Sequence, residues 1–324
     1  MVRCLSLVIA ILFASATASA HAADRIRIAV QKTGTLAWEL EIIKAHGLDK
    51  KADLDIQITE LASTEAGKIA LRGGSADIIL SDWLWVARER ALGDALVFHP
   101  YSSTLGAVMV PPQSPIRAVG DLKGKTIAVA GGPIDKSWLL LQAFARRAGV
   151  DLKKQATPVY GSPPLLSQKA QQGETDATLT FWNFCAELEG KGFRRAVAMD
   201  DVMKGLGAKD AVAIVGYVFD ESWAARNRNA VGRFLKMTLE AKEILAASDA
   251  EWQRLAPRIG TSDNATLAIY RRLYVDGIPR RPIADEADDA KTLYRVLADI
   301  GGAELVGPGK ELDPGTFYQP TQGE

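Results

Sequence analysis

The chain has 324 residues, room for two domains of ordinary size, and 48% of them are apolar, enough for real cores. Lys plus Arg and Asp plus Glu each number 39, so no basic excess points to nucleic acid or to an anionic membrane surface. Three histidines and two cysteines, with no C-x-x-C or H-x-x-x-H spacing, argue against a transition-metal site.

Residues 1–22 read as a secretory signal. Arg3 is the positive start, and 5–13 is an apolar stretch too short to span a bilayer. Ala18-Ser19-Ala20 and Ala20-His21-Ala22 are both A-x-A sites, so cleavage after Ala20 or Ala22 is expected. Cys4 lies before the apolar stretch, which is the wrong side for a lipoprotein anchor. Without residues 1–22 the chain keeps one cysteine, Cys185, so no intramolecular disulfide can form. Buried packing or a reactive thiol are its two readings.

Residues 25–30 alternate Ile26, Ile28 and Val30 with polar or small residues and predict a first strand. Gln31 to Thr35 is a polar loop. Leu36, Leu40 and Ile43 mark a helix face that ends at Gly47. Residues 53–61 predict a second strand. Ser63 and Thr64 can cap a helix to Arg72, stopped by Gly73-Gly74. Residues 77–80 predict a third strand, and Ser81-Asp82 caps a helix from Trp83 to about Leu92. Val97-Phe98 and 106–110 are further strand candidates. Pro111, Pro112 and Pro115 then punctuate the chain, and a domain crossing is expected there.

The next stretch is the most informative. Residues 126–130 are short, apolar and β-branched, a buried strand. Gly131-Gly132-Pro133 breaks it, and Asp135 or Ser137 can cap the following helix, which Gly149 ends. A strand, a glycine turn and a helix start leave free N–H groups suited to anions and ligand oxygens. An ordinary βα unit reads the same way.

Residues 158–164 are expected to form a loop and 165–172 a helix. Strands are expected over 176–180, 194–199 and 211–219, with a helix starting at Phe181-Trp182-Asn183. From Glu221 the spacing is helical throughout, and the Gly- and Pro-rich tail after Gly301 is expected to wrap the surface. The strand–loop–helix alternation predicts an α/β fold of mainly parallel sheets, with ligand loops at the strand ends.

No nucleophile–base arrangement, P-loop or full dinucleotide fingerprint is present. The strand-end loops instead hold neutral donors: Gln31, Thr33, Thr35, Ser63, Thr64, Ser81, Ser137 and Asn183, with Lys32 and Asp82. Trp38, Trp83, Trp138 and Trp182 lie in or just after such loops. They could wall a pocket or pack a core.

Several motifs together resemble a known family. These are Asp121-Leu122-Lys123-Gly124-Lys125 with its strand and glycine turn, 30–36, and the run from Leu71 to Ala76-Asp77. Gly173-Glu174-Thr175-Asp176-Ala177 with Phe181-Trp182, and 108–110 with Ser114-Pro115-Ile116, complete the set. In order and spacing, over about 25–245, they are similar to the periplasmic solute-binding proteins of ABC importers, of the nitrate, taurine and aliphatic-sulfonate type. The resemblance implies a two-lobed type II periplasmic-binding fold, each lobe a mainly parallel sheet flanked by helices. Residues 24–108 plus 216–324 would form lobe 1 and 109–215 lobe 2. It implies a non-enzymatic, periplasmic monomer that takes a small solute, a sulfonate, taurine or nitrate, to the membrane subunits of a transporter, with no cofactor, metal or nucleic acid. By position the contacts would be Gln31, Thr33, Ser63, Thr64, Ser81, Asp82, Gly132, Ser137 and Trp182. Two departures leave the ligand open: Asp82 and Asp135 oppose an anion, whereas Lys32 and Lys136 favour one. Alternatives on the same fold are an accessory protein of quinoprotein dehydrogenases and a binder of thiamine-pyrimidine precursors. The precursor branch includes enzymes that use up their own histidine, and the scattered His46 and His99 argue against that.

Overall fold

The protein is described here by a computed structural model covering residues 23–320; the expected signal over 1–22 lies outside the described residues. The chain opens with β1 (Asp24–Gln31), α1 (Leu36–Ala45), α2 (Leu48–Lys51), β2 (Leu54–Leu61), α3 (Thr64–Arg72), β3 (Ile78–Asp82), α4 (Trp83–Ala91) and β4 (Leu96–Ser102). It continues through β5 (Gly106–Val110), β6 (Thr126–Ala130), α5 (Lys136–Arg147), α6 (Leu152–Gln155), β7 (Thr157–Gly161), α7 (Pro163–Gln171), β8 (Ala177–Phe181), α8 (Trp182–Gly190), β9 (Arg194–Ala198) and α9 (Met199–Gly205). After β10 (Val215–Asp220) come the helices α10 (Glu221–Arg226), α11 (Arg228–Ala247), α12 (Asp249–Ile259), α13 (Asn264–Asp276) and α14 (Ile283–Val306).

Two five-stranded sheets result, ordered β2-β1-β3-β10-β4 and β7-β6-β8-β5-β9. In the first, β1 runs parallel to β2 and β3, and β10 runs antiparallel to both β3 and β4. In the second, β6 runs parallel to β7 and β8, and β5 runs antiparallel to β8 and β9. Each sheet therefore has four strands in one direction and one against them. The opposed strand is in each case the one that arrives from the other sheet. Both of these strands need glycine where they pack closest. A Cβ at Gly106 would stand 2.0 Å from the Thr180 carbonyl oxygen, and one at Gly216 2.3 Å from that of His99.

The structure corrects several expectations. The chain crosses to the second sheet over 103–105, ahead of the three prolines, because β5 already pairs with β8 and β9. Residues 157–161 form strand β7, not a loop. Pro158 is tolerated because β7 is an edge strand bonded only to β6. The last strand starts at Val215, not 211: Val212, Ala213 and Ile214 are buried without pairing. The tail after Gly301 does not simply wrap the surface. α14 turns at Gly302 and continues to Val306, Phe317 bridges to Phe98, and Thr316 and Phe317 are buried.

The C-terminal helices tie the two halves together. α14 packs on α4 and on α5, while α13 packs on α8. Beneath the first sheet, Glu39 of α1 is fully buried. It accepts from Lys242 of α11, from Tyr274 Oη at 2.6 Å and from Tyr217 Oη at 3.2 Å. The Lys242 ammonium also sits 3.9 Å from the centre of the Tyr101 ring. Burial opposes the Lys242 charge and lowers its pKa, and Glu39 works against that loss. A buried pair left with one member is costly. Lys242→Met is expected to lower unfolding free energy by about 3–5 kcal/mol, and the double variant Glu39→Gln, Lys242→Met by markedly less. Urea unfolding of the three proteins checks this; equal losses in single and double variants would contradict the pairing.

Candidate functional site

Three strand-end loops, after β2, β3 and β6, form by the same local rule. A short strand ends, and a polar residue in extended conformation caps the next helix. Ser63 caps α3, accepting from the Ala66 amide at 3.2 Å. Asp82 caps α4 through Oδ1, which accepts from the Trp85 amide at 2.8 Å. Asp135 caps α5, its Oδ1 accepting from Ser137 at 2.9 Å and Trp138 at 3.3 Å. Gly131 makes the preceding turn with φ +90, and the Gly132 carbonyl accepts from the Asp135 amide at 3.0 Å.

Two of these loops, from different sheets, meet. Lys136 Nζ of the second sheet's α5 lies 2.9 Å from Asp82 Oδ2 at the end of β3 in the first sheet. The Asp82 side chain is one-tenth exposed and that of Lys136 28% exposed, so the contact is largely out of water. Burial works to raise the Asp82 carboxyl; Lys136, Lys68 and the Trp85 amide outweigh it and hold the group below its ordinary value. Burial likewise works against the Lys136 charge, and Asp82 and Asp135 together raise its pKa. Asp135 is raised, because burial exceeds the help from Lys136 and the two amides. α3 supplies the remaining charges. Lys68 pairs with Glu65 at 2.9 Å and stands 5.1 Å from the centre of the Trp85 ring.

The residues singled out from sequence separate into groups. Ser81, Asp82, Gly132 and Ser137 belong to the two loops that meet, with Ser81, Asp82 and Ser137 buried. Ser63 and Thr64 are exposed at the start of the helix that carries Glu65 and Lys68. Gln31 and Thr33 are exposed after β1, and no side-chain hydrogen bond ties them to the ion pair. Trp182 is buried against aromatic rings of the other half: Trp38 at 5.8 Å, Tyr274 at 6.1 Å and Tyr270 at 6.4 Å. Trp38, Trp83 and Trp138 are buried in the core. Lys136, in the first turn of α5, and Glu65 and Lys68, in the first and second turns of α3, stand beside these loops, and a charged residue near a helix start was the sequence signal for them.

Buried polar atoms lacking a hydrogen-bond partner include Ser81 Oγ at the end of β3 and Thr180 Oγ1 at the end of β8. Such groups lose their hydration and gain nothing for it, and a ligand oxygen or nitrogen is the kind of partner they lack. Two cavities, about 380 and 200 Å³, lie elsewhere. The larger is lined by Glu189, Arg194, Arg195 and Arg272, the smaller by Arg146, Arg147 and Asp299.

A family model described as NMT1/THI5 like matches residues 43–251, well over half of the chain. No curated protein matches. Among solved structures, the periplasmic aliphatic sulphonate binding protein SsuA from Escherichia coli is 22% identical with a TM-score of 0.73, over 93% of this chain and 94% of that one. The alkanesulfonate-binding protein SsuA from Xanthomonas axonopodis pv. citri, bound to MOPS, is 21% identical with a TM-score of 0.68, over 90% and 98%. DszB in complex with biphenyl-2-sulfinic acid is 15% identical with a TM-score of 0.58, over 91% and 96%. These likenesses establish the fold: two α/β halves of the periplasmic-binding kind.

The ion pair yields a direct expectation. In a double-mutant cycle with Asp82→Asn, which keeps the α4 cap, and Lys136→Met, the two changes should couple by about 1–3 kcal/mol at neutral pH. Because the Asp82 pKa is depressed, its share of the stability is present above the ordinary carboxylate range and is lost as pH falls below it. Thermal or urea unfolding at neutral pH and at a pH below the ordinary carboxylate range measures this. Additive effects at neutral pH would contradict the pairing.

Proposed function

We propose that this chain, which belongs to the NMT1/THI5-like family, captures a small polar solute between two lobes and delivers it to the membrane subunits of an ABC importer. The observation that carries the reading is the contact between strand-end loops of two separate sheets, at Asp82 and Lys136. Each sheet with its helices is taken as one lobe. Two strand-to-strand segments, 103–105 and the stretch before β10, pass between the sheets, and a rotation about them that also slides α13 and α14 against the second half would open the seam. The solute then lies among Ser81, Asp82, Gly132 and Ser137, with Ser63 and Thr64 at one rim and Gln31 and Thr33 at another. Trp182 spans from one lobe to aromatic rings of the other and would register closure.

The named ligands of the structural relatives support a sulfonate-class solute, the class to which taurine also belongs. MOPS is itself a sulfonate, and biphenyl-2-sulfinic acid is a related sulfur oxyacid. The chain is read as acting as a monomer in the periplasm after export. Among the described residues, no helix is long and apolar enough to cross a membrane.

Binding without turnover is the reading for two groups that could otherwise suggest chemistry. The Cys185 thiol is fully buried and pushed up to about 12 by that burial. His99 is pushed down to about 4 by burial and is neutral at ordinary pH. Neither is poised as a nucleophile or base.

Thermal melts with a panel of sulfonates, amines, alcohols and pyrimidines test the reading, since a solute that binds only the folded state raises the melting temperature. At least one sulfonate is expected to raise it. Ser137→Ala should then weaken binding by about 1–3 kcal/mol through one lost hydrogen bond in a dry site, with the free protein's melting nearly unchanged. No shift with any compound, together with co-purification of an exported protein partner, would contradict solute capture and favour the accessory-protein reading.

A further inference from the structure

The charges at the seam do not suit a simple anion. Asp82 and Asp135 both face Lys136, and Lys136 makes its ion pair with Asp82. The second ammonium of the region, Lys68, has its own carboxylate in Glu65. Two carboxylates thus share Lys136 at the point where the lobes meet, and Lys68 adds a weaker pull on Asp82 while paired with Glu65. Each carboxylate also accepts from the amides at a helix start, which eases its burial but adds no full positive charge. Lys32, the other candidate cation, is exposed in the loop after β1 and makes no ion pair with these groups.

A solute entering here must displace Lys136 from Asp82. If it carries only a negative charge it can take Lys136, but it then leaves Asp82 half-compensated and stands beside two carboxylates. A solute with an ammonium group replaces Lys136 at Asp82 and restores the balance. Lys136 then becomes available to an acidic group on the same molecule. The buried, unpartnered hydroxyls of Ser81 and Thr180, at the ends of β3 and β8, can take its remaining polar atoms.

Resting on the solute-capture reading above, we infer that the solute of this protein carries an ammonium group held by Asp82, and that a bare alkanesulfonate or nitrate is a poor ligand. The charge pair across the seam, not the general shape of the fold, sets this preference.

The test uses three probes of matched size: ethanesulfonate, 2-aminoethanesulfonate and 2-aminoethanol, titrated calorimetrically into the full folded protein at fixed pH and ionic strength. The two ammonium-bearing probes are expected to bind at least about tenfold more tightly than ethanesulfonate, the scale of one charge-assisted hydrogen bond. In Asp82→Asn, which preserves the helix cap, that preference should vanish or reverse, since Lys136 is then free for an anion. In Lys136→Met 2-aminoethanol, which has no acidic group for Lys136 to take, should bind at least as tightly as to the unaltered chain, since Asp82 has lost its internal partner. Equal or tighter binding of ethanesulfonate by the unaltered chain overturns the inference while leaving solute capture standing. An unchanged ratio in Asp82→Asn also overturns it. Failure of all three probes to bind overturns it as well, and absence of binding across the wider panel then removes the solute-capture reading with it.

Discussion

A carboxylate and an ammonium withdrawn from water must find each other or destabilise whatever buries them. Asp82 and Lys136 meet this condition across the seam between two separately built sheets, 2.9 Å apart. Their placement follows from local rules. Asp82 stands where β3 ends and α4 needs a cap; Lys136 is the first residue of a helix whose cap is Asp135. Each half can form its own loop without the other. The ion pair joins the two halves, so a local capping rule becomes a contact between two separately built sheets.

The two halves repeat one design and differ where function would be placed. Leu80-Ser81-Asp82-Trp83 ends β3 in the first sheet, and Leu179-Thr180-Phe181-Trp182 ends β8 in the second. Both give a buried hydroxyl without a partner and a buried tryptophan. The position between them is an aspartate in one half and a phenylalanine in the other. The charged side of the seam is therefore built from one copy of the motif plus the glycine turn before α5. The aromatic side is built from Trp182 against Trp38, Tyr270 and Tyr274. The first side is charged and directional, and on the second a desolvated aromatic contact adds cohesion without direction.

Much of the fold was legible because its elements are short, well punctuated and locally consistent. The caps at Ser63 and Asp82 and the glycine stops after α1, α3 and α5 were readable one by one. β7 was missed because Pro158 reads as a breaker, and only the pairing shows that it lies at a sheet edge. Residues 211–214 looked like strand because apolarity reports burial, and Val212 to Ile214 are buried without pairing. The four tryptophans carried no local sign to separate a pocket wall from a core. The loops that carry Asp82 and Lys136 were singled out, yet the ion pair between them was not, because the two residues are brought together by topology. The same holds for Glu39 and Lys242, which lie 203 residues apart.

The solute belongs, on this reading, between the end of β3 and the start of α5. A crystal structure of the protein with its tightest-binding solute tests that placement most directly. Density for the solute in contact with Asp82 and Ser137, with Lys136 moved off the Asp82 carboxylate, is the predicted result. Solute bound elsewhere, such as in the cavity lined by Glu189 and Arg272, with the Asp82–Lys136 pair intact, would contradict it.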